Sequence, residues 1–585
     1  MAIKIELDLR LKNANIHDGT GRQPFKADLG VVEDKIAAIG DLSEADAKES
    51  IDLKGLALCP GFIDIHTHVD LTAYKDDHEK LLEPLVRQGV TTVVGGNCGV
   101  AMAPVSKENR DFQMAFYDFF IGAPQENVIK WKTMDGFLSH LEKQGVVLNI
   151  GVLVPHGMLR IDALGSRNVL ADQVALKKMR NLLEESMEAG ALGMSTGLQY
   201  FPALASDSNE LEGLAKVVSR HNGIFTAHLR SYNSDTLDLA VEEVVSVGRK
   251  AEVPVQVSHL FWIPNFGDRL NPLFMRFVKA GSKLYNMHHF PLPVDAGAKP
   301  ILEKVDKLRS RGYPVGVDAM PTAAGFTHML AAFPPWALEG TRDDILGRLK
   351  DKTQRKRIRE TIEKGQAKWP HRGPSEWSMN FFKTLGWDGI YIMSVVSGKN
   401  QGLVGKNLVQ IGKERGKHPF DVACDLLIEE QGRVLIFETA TFPGDPLIEL
   451  SLASTLKNPN VSIVTDSILL GYGMPSHLFY DCYPKFLSQY CGEGKDLELR
   501  EGIRKCTYLP ATQAGIERRG KVATGWYADL VAFDPERLKS NSTASNPMHW
   551  PNGIEMVIVN GKIVKDENGY HPGGRPGKVL RRGAF

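Results

Sequence analysis

The chain has 585 residues, more than one hydrophobic core normally organises, so more than one domain is expected. Hydrophobic residues make up 43% and charged residues 24%, which is ordinary for a globular protein and excludes a disordered or collagen-like chain. Seventy Lys and Arg balance seventy Asp and Glu, so charge gives no sign of nucleic acid, an anionic membrane or a polyanionic partner.

The N-terminal stretch MAIKIELDLRLKNANIHDG alternates charged and apolar residues and lacks the apolar centre of a signal peptide. No run in the chain reaches the ~20 apolar residues that span a bilayer. Short strands with turn signals follow in NANIHDGTGRQ, DLGVVEDKIAAIGD and ESIDLKG. Eight apolar strand candidates come next: 57–69, 89–98, 147–157, 190–198, 223–230, 253–260, 313–321 and 460–467. Helical patterns such as LADQVALKKMRNLLEESMEAG and SDTLDLAVEEVVSVGRKA lie between several of them. Continuous apolar strands separated by helices indicate a parallel sheet covered on both faces. Eight units predict a distorted (β/α)8 barrel, with an open doubly wound sheet as the alternative.

Two stretches exceed a minimal barrel. Residues 263–300 read as loop-rich, and 335–435 read as an inserted subdomain carrying the charged helical run DDILGRLKDKTQRKRIRETIEKGQ. The C-terminal segments GWYADLVAFD, IEMVIVNGKIVKDENG and KVLRRG again resemble strands. Neither end can bury a core alone, so 1–57 and 510–585 are expected to form one composite β-sandwich flanking a barrel over 58–509. The six cysteines (59, 98, 424, 482, 491, 506) form no C-x-x-C pair, which fits a reducing compartment and the expectation of a cytoplasmic protein.

Barrel enzymes carry their chemistry at the C-terminal ends of the strands. There the sequence places His66 and His68, Cys98, His228, His259 and Asp466. Residues two apart on a strand share a face, so His66 and His68 can converge on one ion. Each residue alone has an ordinary reading: a satisfied histidine, a small buried thiol, a helix-capping carboxylate. Six such residues ending five of eight strands do not. Imidazole and thiolate donors favour zinc over magnesium or calcium. Cys98 as a nucleophile would leave several histidines without a task, whereas Cys98 as a metal ligand uses them.

The segments PGFIDIHTHVD, GVTTVVGGNCGVAMAP, GALGMSTGLQYFP, HLRSYN, VQVSHL and GKVATGWYADLVAFDP together resemble the N-acyl-D-amino-acid deacylases of the amidohydrolase superfamily. The likeness runs from about residue 7 to 582. The resemblance implies a zinc-dependent amidohydrolase that cleaves an amide C–N bond with metal-activated water. It implies a tightly held zinc on Cys98, His228 and His259, and a second, weaker site at His66 and His68 that Cys98 can bridge. It implies Asp466 as general base. The superfamily's strand-four carbamylated lysine has no counterpart in GALGMSTGL.

Substrate positions depart from the family pattern. Phe261 stands where a carboxylate-binding lysine is usual, and Met320 and Thr322 stand where tyrosines are usual. Leu478 aligns approximately with a carboxylate-anchoring arginine, while Tyr200 is retained. A substrate carboxylate would be left desolvated and unpaired, so a neutral or more apolar small-molecule amide is expected around Phe261, Trp262, Met320 and Leu478. A cation supplied by His288, His289 or Lys299 would restore the family's preference. His156 reads as structural or supporting rather than as a ligand, and Arg230 as a substrate or barrel-interior group. Competing readings are hydrolysis of a cyclic amide, carbamate or ester, and a non-catalytic scaffold, which would be expected to lack part of the ligand set. No nucleic-acid or membrane partner is expected, and the sequence leaves the oligomeric state open, a homo-oligomer included.

Overall fold

The computed structural model of the protein describes residues 6–121, 129–289, 297–365, 369, 377 and 379–583. Eight short parallel strands run in chain order: Phe62–Asp64, Val90–Gly95, Asn149–Val152 (resuming as Val154–Pro155), Gly193–Gly197, Ile224–His228, Val255–Val257, Val315–Ala319 and Val461–Ile463. The first three pair one to the next, and the resumed third continues through to the eighth. Strands one and eight meet just beyond their ends. There Thr67 and Ser467 form a parallel bridge, Asp466 N donates to His66 O at 3.0 Å, and His68 N donates to Ser467 O at 2.9 Å.

This is a TIM-barrel-like ring, and its strands two, four and five are buried along their whole length. Such double burial is what continuous apolar runs such as VTTVVG encode. Amphipathic helices cover the outside. Gln173–Glu188 is started by Asp172, which accepts from Ala175 N, and Ser208–Arg220 by Asp207, which accepts from Glu210 N.

The run 57–69, read as one strand, is two. Ala57–Pro60 pairs antiparallel with Leu530–Phe533 in a separate sheet, and Phe62–Asp64 opens the barrel. Gly61 makes the switch possible, because a Cβ there would sit 2.1 Å from Thr91 Oγ1. The separate sheet has nine strands, joining N-terminal segments such as Leu7–Ile16 and Phe25–Val32 to C-terminal ones such as Ile554–Val559. It has its own core of Leu9, Leu11, Leu29, Val31, Leu530 and Ile558.

Between strands seven and eight the chain builds a three-stranded antiparallel sheet, Gly325–His328, Leu435–Glu438 and Ile390–Ser394 in spatial order. The charged run in this excursion is two helices, Arg342–Lys350 and Lys352–Lys364, broken at Asp351, whose carboxylate caps the second by accepting from Gln354 N. The reading of 263–300 as loop-rich is corrected by an 18-residue helix, Asn271–His288. Its Pro272 lies in the first turn, where the missing N–H costs nothing. The flanking glycines and prolines obscured its helical pattern. No helix among the described residues is long and apolar enough to cross a membrane.

Candidate metal centre and active site

The six strand-end residues converge. Cys98 Sγ lies 3.3 Å from His66 Nε2, 3.6 Å from His228 Nδ1 and 3.5 Å from His259 Nε2. His228 Nδ1 and His259 Nε2 are 3.0 Å apart, and Asp466 Oδ1 is 3.4 Å from His66 Nε2 and 3.3 Å from His68 Nε2. All six residues are buried. The donors form two groups that share Cys98: His66, His68, Cys98 and Asp466, and Cys98, His228 and His259.

The backbone is built to bring them in. Cys98, His259 and Asp466 are non-glycine residues with φ of 52°, 31° and 54°. That left-handed region is costly for a side chain and persists only where surroundings impose it, commonly at functional sites. At Cys98 the surroundings are explicit. Asn97 Nδ2 donates to the carbonyls of Ile65, Thr67 and Val94, Ser195 Oγ accepts from Gly99 N, and Asp70 accepts from Gly96 N and Met102 N. Gly99 has φ 73°, and a Cβ there would lie 2.9 Å from Gly197 N. The small residues around Cys98 are therefore required by close backbone passage.

The donor set fits a borderline metal ion. Burial alone would raise the Cys98 thiol, but the imidazoles of His66, His228 and His259 hold it well below its usual value, as a thiolate. Asp466 Oδ1 is buried with no hydrogen-bond donor, a costly state unless a cation is supplied. The far side of the His259 ring is held by a protein group, and that of the His66 ring faces a carboxylate. Tyr232 OH lies 3.0 Å from His259 Nδ1, and Asp318 Oδ1 is 3.5 Å from His66 Nδ1 while accepting from His259 N at 2.6 Å. Such outer partners fix ring orientation and strengthen the donor. The sequence reading missed both. Asp318 is the second-last residue of strand seven, and Tyr232 lies four residues past His228; those placements were the available signals.

The centre opens into a cavity of about 980 Å3. His228, His259, Asp466, Tyr200, Phe261, Trp262 and Met320 line it, together with Phe274, Val278, Phe326, Leu447 and Leu452. The Tyr200 ring lies 4.8 Å from the His228 ring, tilted by 50°, and its hydroxyl accepts from Thr327 Oγ1 at 3.2 Å. Phe261 lies 6.0 Å from the His259 ring. Leu478 does not reach the cavity lining; it is fully buried at the start of Leu478–Tyr490. The approximate alignment that gave it a substrate role shifted a core residue into the site. None of His288, His289 and Lys299 lines the cavity; all three are exposed.

One carboxyl in the lining was also missed. Glu438, from the antiparallel insertion, has its Oε2 buried without a partner, and burial pushes its pKa up to about 8. His156 is structural, lying 2.7 Å from Glu210 Oε1 and 2.8 Å from Thr196 Oγ1. Arg230 is occupied by Glu243 and by the carbonyls of Leu204 and Ser206.

Barrel-like ring, converging donors and thiolate place the chain among metal-dependent hydrolases, and the comparisons are more specific. The chain belongs to the amidohydrolase family, whose pattern matches residues 49–362 and 456–565. It is D-aminoacylase-like. D-aminoacylase of Alcaligenes xylosoxydans xylosoxydans is 28% identical over 581 residues, covering 99% of this chain and 98% of that one. The crystal structure of a D-aminoacylase matches with a TM-score of 0.74 at 26% identity, over 98% of this chain and 100% of that one. N-acyl-D-glutamate deacylase from Bordetella bronchiseptica, solved with zinc and a phosphonate inhibitor, matches with a TM-score of 0.73 at 25% identity, over 99% and 100%.

Proposed function

We propose that the protein hydrolyses the amide bond of a neutral or apolar small molecule. The carrying observation is the cavity lining: among the described residues it contains no Lys or Arg, while Asp235, Glu438 and Asp466 contribute carboxyl groups. A free substrate carboxylate would enter an apolar space without a cation to pair it, which costs several kcal/mol or excludes it. Phe261 and Met320 extend the apolar wall beside the centre, and Tyr200 offers a hydroxyl for hydrogen bonding.

In this reading Cys98, His228 and His259 would hold one zinc ion tightly, and His66 and His68 would belong to a second, weaker site; the two groups of donors have Cys98 in common. Zinc there supplies a Lewis acid that polarises the scissile carbonyl and lowers the pKa of water. Asp466 accepts the proton of the attacking water at Oδ1 and returns it to the departing nitrogen. Its position supports this, since Oδ1 already faces the donor cluster and lines the substrate cavity. Tyr232 holds the His259 ring, and Asp318 faces the His66 ring.

A hydrolysis screen of N-acetyl-D-amino acids against uncharged aryl and alkyl amides tests the reading. Turnover of the uncharged amides at higher kcat/KM is expected. A strong preference for the free acids overturns it.

A further inference from the structure

The helix Asn271–His288 forms one wall of the cavity: Phe274, Met275, Val278 and Gly281 line it, and Ser282 Oγ bonds to the Asp445 carboxylate. The remainder of its surface should be polar in a surface helix. Instead Leu270 (58% exposed), Leu273 (51%), Phe277 (66%), Leu284 (47%) and Met287 (58%) all face solvent. With Ala280 they fall at spacings of three and four residues, which places them in one stripe along the helix. Isolated exposed apolar residues need no explanation, but an aligned row beside a cavity mouth does.

The charge on this helix is one-sided. Arg276, Lys279 and Lys283 fall together along one border of the stripe at about 100° per residue, and 271–288 contains no Asp or Glu. Lys279 pairs with Asp388, whereas Arg276 and Lys283 make no ion pair among the described residues. Nearby Asp268 is engaged by Lys383. A homotypic helix pair would want opposite charges flanking its seam, and this helix has only cations. Apolar residues bordered by cations, lying in one plane, match an anionic lipid surface.

We propose that the helix Asn271–His288 is a membrane-surface contact, seating its Leu270–Met287 stripe in the headgroup region of an anionic bilayer with the cavity mouth beside it. Phe277 belongs both to the stripe and to the cavity lining, and the exposed Phe266 lines the cavity too, so lipid-facing surface and substrate cavity are continuous. Entry of a lipophilic amide from the bilayer rests on the hydrolase reading above; binding of the helix to lipid does not.

The test uses the full-length protein and vesicles without substrate. Co-sedimentation is measured with equal parts phosphatidylglycerol and phosphatidylcholine, and with phosphatidylcholine alone, at low and high salt. Binding is expected to be strongest on the anionic vesicles and to weaken with salt. The double variant Leu273→Ser, Leu284→Ser removes two exposed residues outside the cavity lining and is expected to lower partitioning about ten-fold or more. Arg276→Gln and Lys283→Gln should each lower it about five-fold on anionic vesicles alone. Equal sedimentation of wild type and the double leucine variant overturns the proposal. So does absence of vesicle binding, including the case in which light scattering shows a wild-type dimer that the double variant makes monomeric. Hydrolysis of a short water-soluble amide by the double variant reports separately on the hydrolase reading.

Discussion

Cys98 shows how one residue is committed to one role. Its φ of 52° is held by Asn97, Ser195 and Asp70, and its thiolate faces three imidazoles within 3.6 Å. Cys98→Ala is expected to abolish zinc retention and turnover together, checked by metal analysis of the purified variant. Asp466→Asn should behave differently, keeping zinc while kcat falls by about a hundred- to ten-thousand-fold, the range typical of a lost general base. Near-normal turnover by that variant would remove Asp466 from the mechanism. Leu478 marks the limit of argument from alignment. Being fully buried, Leu478→Ala should cost about 2–5 kcal/mol of stability in denaturant unfolding while leaving KM unchanged. The six inward residues were legible because strand ends can be read from apolar runs. Asp318 shares that strand-end signal, but Tyr232 and Glu438 do not, because a residue that follows a strand or arrives from an insertion leaves no periodic signal.

At the scale of elements, the insertions shape the site more than the barrel does. The strand Leu435–Glu438 delivers Glu438 to a cavity wall that, among the described residues, carries no Lys or Arg. Burial lifts this carboxyl to about pH 8, so it is a neutral hydrogen-bond donor at pH 7 and loses its proton as pH rises through 8. The charged form places an unpaired anion in the apolar cavity, and KM for an uncharged amide is expected to rise above that pH. Glu438→Gln keeps the shape and cannot ionise, so its KM should stay flat from pH 6 to 9. A matching rise in the variant would assign the effect elsewhere. The helix Asn271–His288 carries the same lesson in another form. A net charge of zero averaged over the chain hides one locally cationic, apolar-striped helix, so whole-chain electrostatics could not reveal it.

For the whole molecule, the centre spans the seam that closes the ring. Adjacent strands elsewhere share ladders of hydrogen bonds, but strands one and eight meet through the Thr67–Ser467 bridge and the bonds around it. His66 and His68 follow strand one, Cys98 follows strand two, His228 ends strand five, His259 follows strand six and Asp466 follows strand eight. A metal held by these donors ties strands one and eight, which meet only around that bridge, to each other and to strands two, five and six. Without it, an Asp466 oxygen that accepts no hydrogen bond and closely set imidazoles remain buried, each adding strain to the seam. Chelation is therefore expected to do more than stop turnover. Amide hydrogen exchange at 64–70 and 464–468 should speed up on metal removal, while the remote Leu7–Ile16 and Phe25–Val32 strands of the terminal sheet keep their protection. Thermal stability should rise with added zinc in the wild type and stay constant in Cys98→Ala. Unchanged exchange at the seam after complete metal removal would mean that the barrel closes by packing alone. The metal would then serve chemistry and not architecture.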